Sequence, residues 1–265
     1  MSVPLKLTLF GSNGRMGKEL RSLIEEDPEL AFVCGIDRQE TIEHGKLPQQ
    51  EKTFSLLEGL REPTDVVIDF SRPSALIELL GAITSRPLPL VSGTTGILEE
   101  HRRELYELSR NVPVVWASNF SKLGNLMVFL AGEIARIADT EDLEILEAHH
   151  KEKIDAPSGT AISLFEALKK KKPPLRPVFS RHGADAKRAQ GEVTILAIRG
   201  GDVVGDHTLF CLGKGERLEL THRAQSRKAF AKGALLAARW IHGKPAGMYT
   251  MADVLGIRDE TTTTK

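Results

Sequence analysis

"LKLTLFGSNGRMGKEL" (residues 5–20) is the stretch on which the fold turns. Residues 5–11 are a short apolar run that stops at Gly11. Beyond the turn, Met16, Leu20, Leu23 and Ile24 recur at helical spacing. A strand, a glycine-rich turn and a helix in that order aim backbone amides and a helix N-terminus at one point, which suits a pyrophosphate. The glycines fall at 11, 14 and 17, which is not the usual G-x-G-x-x-G spacing. Asn13 stands where the second glycine would, and asparagine tolerates left-handed backbone angles better than most residues.

Outward from this turn, the first half of the chain alternates. "LAFVCGID" (30–37), "DVVIDF" (65–70), "LPLVSG" (88–93) and "VPVVWAS" (112–118) read as further strands. "RPSALIELLGAI" (72–83) and "EEHRRELYELSR" (99–110) read as helices between them, the first with Pro73 near its first turn, where a missing N–H does no harm. Short apolar strands alternating with helices predict a parallel sheet covered on both faces. Asp37 ends the second strand about 20 residues after the glycine turn, the spacing at which an acid binds a ribose hydroxyl. Arg38 follows it and suits a 2′-phosphate, so the pair suggests a site for NADH or NADPH. "DFSRP" (69–73), "SGTTG" (92–96) and "ASNFS" (117–121) also follow strands. They are three ordinary polar turns or, sharing one sheet edge, the walls of a cofactor cleft.

The character changes after residue 121. "NLMVFLAGEIARIA" (125–138) is an apolar helix, "DLEILEAHH" (142–150) alternates as a strand, and "SGTAISLFEALKKKK" (158–172) is a helix with Ser158 placed to cap it. The lysine run reads as a solvated helix end that passes into a Pro-rich loop. "EVTILAIRG", "DVVGDHTLFCLG" and "ERLELTHRA" follow closely, and their Gly-Gly and Gly-Lys-Gly turns suggest antiparallel pairing. "AFAKGALLAARWI" (229–241) is a long helix and "TTTTK" a tail. The expected class is therefore α/β: an N-terminal Rossmann-type doubly wound parallel sheet, plus a C-terminal α+β domain with an open, mostly antiparallel sheet. Residues 1–121, joined by the C-terminal helix region 228–265, would bind the dinucleotide. Residues 122–227 would bind substrate and mediate oligomerisation.

Composition narrows the partners. The 36 basic and 36 acidic residues cancel, so no global field argues for nucleic acid or an anionic membrane. No apolar run approaches the ~20 residues that span a bilayer. The N-terminus lacks the pattern of a signal peptide, and Cys34 and Cys211 sit apart among apolar residues. Together these point to a cytoplasmic protein without disulfides.

"AHHKEKIDAPSGTA" (148–161) concentrates the chemistry. On a strand, Glu147 and His149 share one face and Ala148 and His150 the other. Adjacent strand histidines are badly placed to chelate one metal, and no further ligand pattern completes a site, so none is expected. The segment is either a solvated basic loop or a site for anion recognition and proton delivery. Histidine is a natural general acid near neutral pH, lysine supplies compact charge, and "SGT" places amides at a helix start.

The motifs "GSNGRMG", "DFSRP", "SGTTG", "ASNFSKLGN", "EAHHKEKIDAPSGTA", "AIRGGDVVGDHT" and "THRAQSRKAFAKGALLAARW", in this order, resemble those of the dihydrodipicolinate reductase family over nearly the whole chain. The His-His-x-x-Lys-x-Asp-Ala-Pro-Ser-Gly-Thr-Ala segment is the most specific of them. The resemblance implies NADH- or NADPH-dependent reduction of 4-hydroxy-tetrahydrodipicolinate, a cyclic dicarboxylate, to tetrahydrodipicolinate with loss of water, in the diaminopimelate route to lysine. It implies His149 as proton donor or acceptor and Lys153 as proton donor or charge partner. His150, Lys153, Ser158, Gly159, Thr160 and Arg227 would hold the substrate carboxylates. Gly11, Ser12, Asn13, Gly14, Arg15, Met16, Asp37, Arg38, Phe70, Arg72, Gly93, Thr94, Thr95, Ala117, Ser118, Asn119 and Phe120 would contact the cofactor. It also implies a homotetramer formed through the open sheet, whose apolar face and strand edges would otherwise be exposed. Asp37 is one carbon shorter than the glutamate common in such proteins. Two rivals remain: another two-domain NAD(P)-dependent oxidoreductase of a small dicarboxylate, and a catalytically silent nucleotide-binding protein. The first would not carry the His-His segment, and the second would be expected to have lost His149, Lys153 or Arg227.

Overall fold

A computed structural model describes residues 3–37 and 53–257. Arg38 and the "TTTTK" tail lie outside the described residues. The chain divides into two compact units, residues 1–120 with 230–265, and residues 121–229.

The first unit opens with β1 (Leu5–Phe10), α1 (Arg15–Glu25) and β2 (Leu30–Ile36). A two-residue β3 (Thr53–Phe54), a single-turn α2 (Leu56–Gly59), β4 (Val66–Asp69), α3 (Pro73–Ser85), β5 (Leu90–Ser92), α4 (Glu99–Ser109) and β6 (Pro113–Trp116) follow. The strands lie in the order β6-β5-β4-β1-β2-β3, all parallel. Alternation along each strand separates two cores. Leu7 and Leu9, Val66 and Ile68, Val91 and Val115 pack with Leu20, Leu23 and Ile24 of α1. Phe10, Val67, Leu90 and Val114 point the other way, against Leu76, Leu79, Leu80 and Ile83 of α3 and Leu105 and Leu108 of α4. Burial on both faces is why these strands read as nearly continuous apolar runs.

The second unit contains α5 (Lys122–Ile137), β7 (Asp142–His149), α6 (Gly159–Lys171), β8 (Arg176–Val178), β9 (Glu192–Arg199), β10 (Asp206–Leu212) and β11 (Arg217–Arg223). Ser121 caps α5 by accepting from the Gly124 amide, so the helix begins before the apolar run that signals it. Leu143 and Ile145, Val193 and Ile195, and Leu209 pack under Met127, Ala131 and Ala135 of α5 and Leu164, Phe165 and Leu168 of α6. The opposite sheet face carries Leu146, Leu196, Ile198, Phe210 and Leu212; Leu196 is 44% and Ile198 52% exposed.

Strand order corrects one expectation. The sheet runs β11-β10-β7-β9-β8 and is mixed. β10 and β11 form the expected antiparallel hairpin, closed at Gly213–Glu216. β9 and β10 are not neighbours: β7 lies between them, antiparallel to β10 and parallel to β9. The Gly-Gly turn therefore passes over the end of β7, where the Gly200 amide bonds the His149 carbonyl. Short linkers favour hairpins, but the alternating strand β7 gains two partners by inserting centrally. β8 is an edge strand in a stretch that reads as loop. Glu192 at the start of β9 accepts from Arg176 of β8 and from Arg181.

The chain re-enters the first unit through α7 (Lys228–Ile241), followed by β12 (Gly247–Tyr249), which pairs with β6, and α8 (Met251–Leu255). Ala231, Ala234, Leu235, Ala238 and Ile241 of α7 cover the α1 face of the parallel sheet. Contact is close enough that a Cβ at Gly233 would lie 1.7 Å from the Phe120 carbonyl oxygen, a backbone atom that cannot swing aside. No helix among the described residues is long and apolar enough to cross a membrane.

Two helix glycines should therefore respond oppositely to alanine. Gly81→Ala in α3 meets nothing within 4 Å and should stabilise by about 0.5–1 kcal/mol through helix propensity. Gly233→Ala gains the same propensity but must displace the helix, and should destabilise by about 1–3 kcal/mol. Urea unfolding of both variants measures the two signs.

Candidate active site

In the first unit the relevant turns follow β1, β4, β5 and β6, four adjacent strands whose C-terminal ends share one sheet edge. The left-handed residue of the first turn is Gly11, at φ +78°, where a Cβ would also meet the Phe70 carbonyl oxygen at 2.8 Å. Among the described residues no side-chain-bearing residue has positive φ, so Asn13 does not use the freedom the sequence allows it. Its backbone amide instead donates to Asp37 Oδ2 at 3.0 Å, which holds that carboxylate beside the turn. Gly17 sits against the carbonyls of Ser12 and Gly11, where a Cβ would come within 2.3 and 2.5 Å. Gly14 is the N-cap of α1 and supplies no side-chain cap. The side-chain amide nitrogen of Asn13 and the Ser12 hydroxyl are buried without a partner. Uncapped helix amides, buried unpaired polar atoms and an acid nearby fit a dinucleotide. Arg15 is exposed and Met16 half-buried in the first turn of α1.

Asp69 organises the next two turns. It is fully buried, and accepts from the Ser71 amide at 2.9 Å and from the Ser92 and Thr94 hydroxyls at 2.7 and 2.8 Å. Burial raises its pKa above the usual carboxylate range despite these bonds, because no cation is among the groups that bond it. Gly93 lies over the Phe70 ring, where a Cβ would approach to 2.2 Å, and Phe70 packs edge-on against Phe120 at 5.5 Å. The Ala117 amide bonds the Ser92 carbonyl, and Trp116 Nε1 bonds the Thr94 carbonyl. Arg72 is the exposed N-cap of α3 and Thr95 is exposed, while Ser118 and Asn119 are half-buried. The three turns are thus one connected edge, though no single turn announces this.

The second unit centres on another carboxylate. Glu147, wholly buried, points to the helix side of β7 with His149. It accepts from His149 Nδ1, from both terminal nitrogens of Arg199 at 2.9 Å each, and from the Ser158 amide at 3.1 Å. Burial alone would raise its pKa, but the bonds from His149 and Arg199 outweigh burial and hold it at about 2. The Ser158 hydroxyl accepts from the Ala161 amide, capping α6, and is 2.9 Å from His207 Nε2. The cap leaves Gly159 and Thr160 as the first residues of α6. His207 packs edge-on to His149, with ring centres 5.2 Å apart. Gly205 also lies against His149, where a Cβ would sit 3.0 Å from Nε2.

His149, Ser158, Gly159 and Thr160 are brought together at this point. Lys153 lies in the turn between β7 and α6, and its Nζ binds both oxygens of Asp155 at 2.7 and 2.8 Å. His150 is half-buried at the end of β7, where its carbonyl accepts from the Lys153 amide. Arg227 is half-buried on the connection from β11 to α7. Sequence reasoning missed Arg199, His207 and Asp155 and gave Glu147 no task. The Glu-x-His alternation was a usable signal for Glu147. Arg199 and His207 lie within quoted motifs, but their contacts are 52 and 49 residues away along the chain.

Residues 5–120 match the family model "Dihydrodipicolinate reductase, N-terminus", and residues 124–255 match "Dihydrodipicolinate reductase, C-terminus". A 4-hydroxy-tetrahydrodipicolinate reductase of Aquifex aeolicus (strain VF5) is 42% identical, covering 96% of this chain and 99% of its own. One from Psychrobacter arcticus (strain DSM 17307 / VKM B-2377 / 273-4) is 39% identical, covering 96% of each chain. Among solved structures, dipicolinate-bound dihydrodipicolinate reductase from Paenisporosarcina sp. TG-14 superposes with a TM-score of 0.75 at 21% identity, covering 97% of this chain and all of the other.

The buried histidine gives a pH prediction. Burial, with the neighbouring His149 adding to it, pushes the His207 pKa down from 6.5 to about 3. The folded protein thus binds this proton less readily than the unfolded chain. Stability from neutral His207 is complete above about pH 6.5 and is lost as pH falls toward about 3. Urea unfolding across that window should show a slope steeper for the parent than for His207→Gln, by at most about 1.4 kcal/mol per pH unit.

Proposed function

The chain belongs to the dihydrodipicolinate reductase family, and from this premise we propose which of its residues do the family's chemistry. Its activity is the nicotinamide-dinucleotide-dependent reduction of 4-hydroxy-tetrahydrodipicolinate to tetrahydrodipicolinate, with loss of water, in the diaminopimelate route to lysine. When bound, the reduced nicotinamide supplies the hydride.

In this reading the first unit is the dinucleotide domain. The Gly11–Met16 turn takes the pyrophosphate on backbone amides and on the Asn13 side chain. Asp37 takes a ribose hydroxyl, and Arg38 offers charge to a 2′-phosphate, so the site accepts either NADH or NADPH. Phe70, Arg72, Gly93–Thr95 and Ala117–Phe120 complete the cofactor site on the edge that Asp69 holds together.

The second unit is the substrate domain. Two carboxylates on a small ring need cations and converging N–H groups. His150, Lys153 and Arg227 supply charge or donors, and the Ser158–Thr160 turn supplies the start of α6. His149 is the acid. One hydride and one proton enter and one water leaves, and the electron density the hydride brings must be neutralised by a nearby donor. The single observation that carries this assignment is the buried contact of His149 Nδ1 with Glu147, within a cluster that also fixes the N-terminus of α6. A histidine in a solvated basic loop would have neither partner. The open face of the β11-β10-β7-β9-β8 sheet, with Leu196 and Ile198 exposed, supports assembly of four chains through that face. The expected place of work is the cytoplasm.

Mixed with freshly generated hydroxy-tetrahydrodipicolinate, the pure protein should oxidise both NADH and NADPH, followed as loss of reduced-nicotinamide absorbance. His149→Gln should lower turnover about 100- to 10,000-fold with little change in cofactor affinity. Near-normal turnover would remove His149 from the acid role, and strict use of one cofactor would remove the dual-cofactor reading. Light scattering on the eluted protein should give the mass of four chains; a single-chain mass would end the tetramer proposal.

A further inference from the structure

His149 can deliver a proton only if the correct ring nitrogen carries it and faces away from the protein scaffold. Three groups decide this. Glu147 has about four lone-pair positions, and all are used: one by His149 Nδ1, two by Arg199 and one by the Ser158 amide. A carboxylate that stays ionised can only accept, so Nδ1 of His149 must carry hydrogen. The nitrogen left to exchange a proton is then Nε2, which lies beside Gly205, where even a Cβ would come within 3.0 Å.

Arg199 does a different job. Its two terminal nitrogens clamp both oxygens of Glu147, and one also donates to the Asp155 carbonyl at 2.7 Å. Asp155 holds Lys153, so the guanidinium ties His149, the start of α6 and the lysine turn to a single rigid group. It also counters the charge of Glu147. A lone carboxylate beside an imidazole favours the charged imidazolium and would weaken it as an acid; a guanidinium on the same carboxylate opposes that effect.

We propose that Glu147 and Arg199 are positioning residues for the reduction, Glu147 fixing the proton of His149 on Nδ1 and Arg199 limiting how strongly Glu147 favours the imidazolium. The inference rests on the assignment of His149 as the acid. The other titratable groups near this ring are His207 and Lys153. His207 on β10 stays neutral through the working range, and Lys153 is paired with Asp155.

The test has one arm that needs no substrate. In ¹⁵N NMR of the parent protein above the titration of its histidines, neutral His149 should show a protonated Nδ1 and an unprotonated Nε2; the opposite tautomer overturns the proposal. This arm succeeds or fails whether or not the activity assignment stands, and it does not depend on any variant folding. The second arm uses two substitutions, each checked for native circular dichroism. Glu147→Gln should lower kcat at least about tenfold with KM within about twofold. It should also move the pH–rate profile toward lower pH. Arg199→Met should move the same profile toward higher pH. A purely structural pair would change amount or stability of folded enzyme without opposed shifts. Folded Glu147→Gln with unchanged kcat, or shifts in the same direction for both variants, would defeat the idea.

Discussion

The second unit depends on one buried negative charge. Glu147 contributes nothing to the apolar core and would be costly to bury alone, since an ionised carboxylate without partners loses all its hydration. Its cost is offset because four hydrogen bonds reach it from three separate pieces of chain: β7 itself, β9 and the N-terminus of α6. Each partner is thereby fixed relative to the others. That constraint explains why β7 is central in its sheet. Only a central strand has β9 on one side to deliver Arg199 and β10 on the other to deliver His207. Removing the carboxylate would leave Arg199, 21% exposed at its side chain, as a poorly hydrated cation without its counter-ion.

The first unit uses a carboxylate in the same architectural position, at the C-terminal end of a strand, with the opposite electrostatic outcome. Asp69 receives hydroxyl and amide hydrogens but no guanidinium, and burial wins, so its pKa rises. Glu147 receives a guanidinium and an imidazole, and its pKa falls to about 2. The difference suits their surroundings. Asp69 ties together the turns proposed to face the cofactor, and hydroxyl and amide donors suffice for that. Glu147 sits beside the histidine proposed as the acid, and its guanidinium and imidazole partners keep it an acceptor.

Much of this was legible in the chain. The strand–glycine–helix turn, the two-faced apolar strands and the His-His-Lys segment were each readable because they are local: their signal lies in spacing within ten to twenty residues. The glycine turn was read correctly as a turn, yet the left-handed angle falls on Gly11 and not Asn13. Asparagine's tolerance is permission, and the backbone contact to Phe70 decided which residue needed it. The short strands β3, β8 and β12 were missed because two or three residues carry no period; they exist only by pairing with a neighbour.

The sequence by itself determined the glycine turn, the cap at Ser158 and the strand face that His149 shares with Glu147, all set by chain-local geometry. Tertiary structure alone decided that β7 separates β9 from β10. The Gly-Gly linker is short enough for a hairpin, and only the pairing energy of two flanks on β7 argues otherwise. From that order follow Arg199 and His207, residues about fifty positions from the groups they serve. An arginine on an edge or a histidine in a hairpin looks the same in sequence whether or not a carboxylate waits across the strand. The distance that gives each its role is set when the sheet closes.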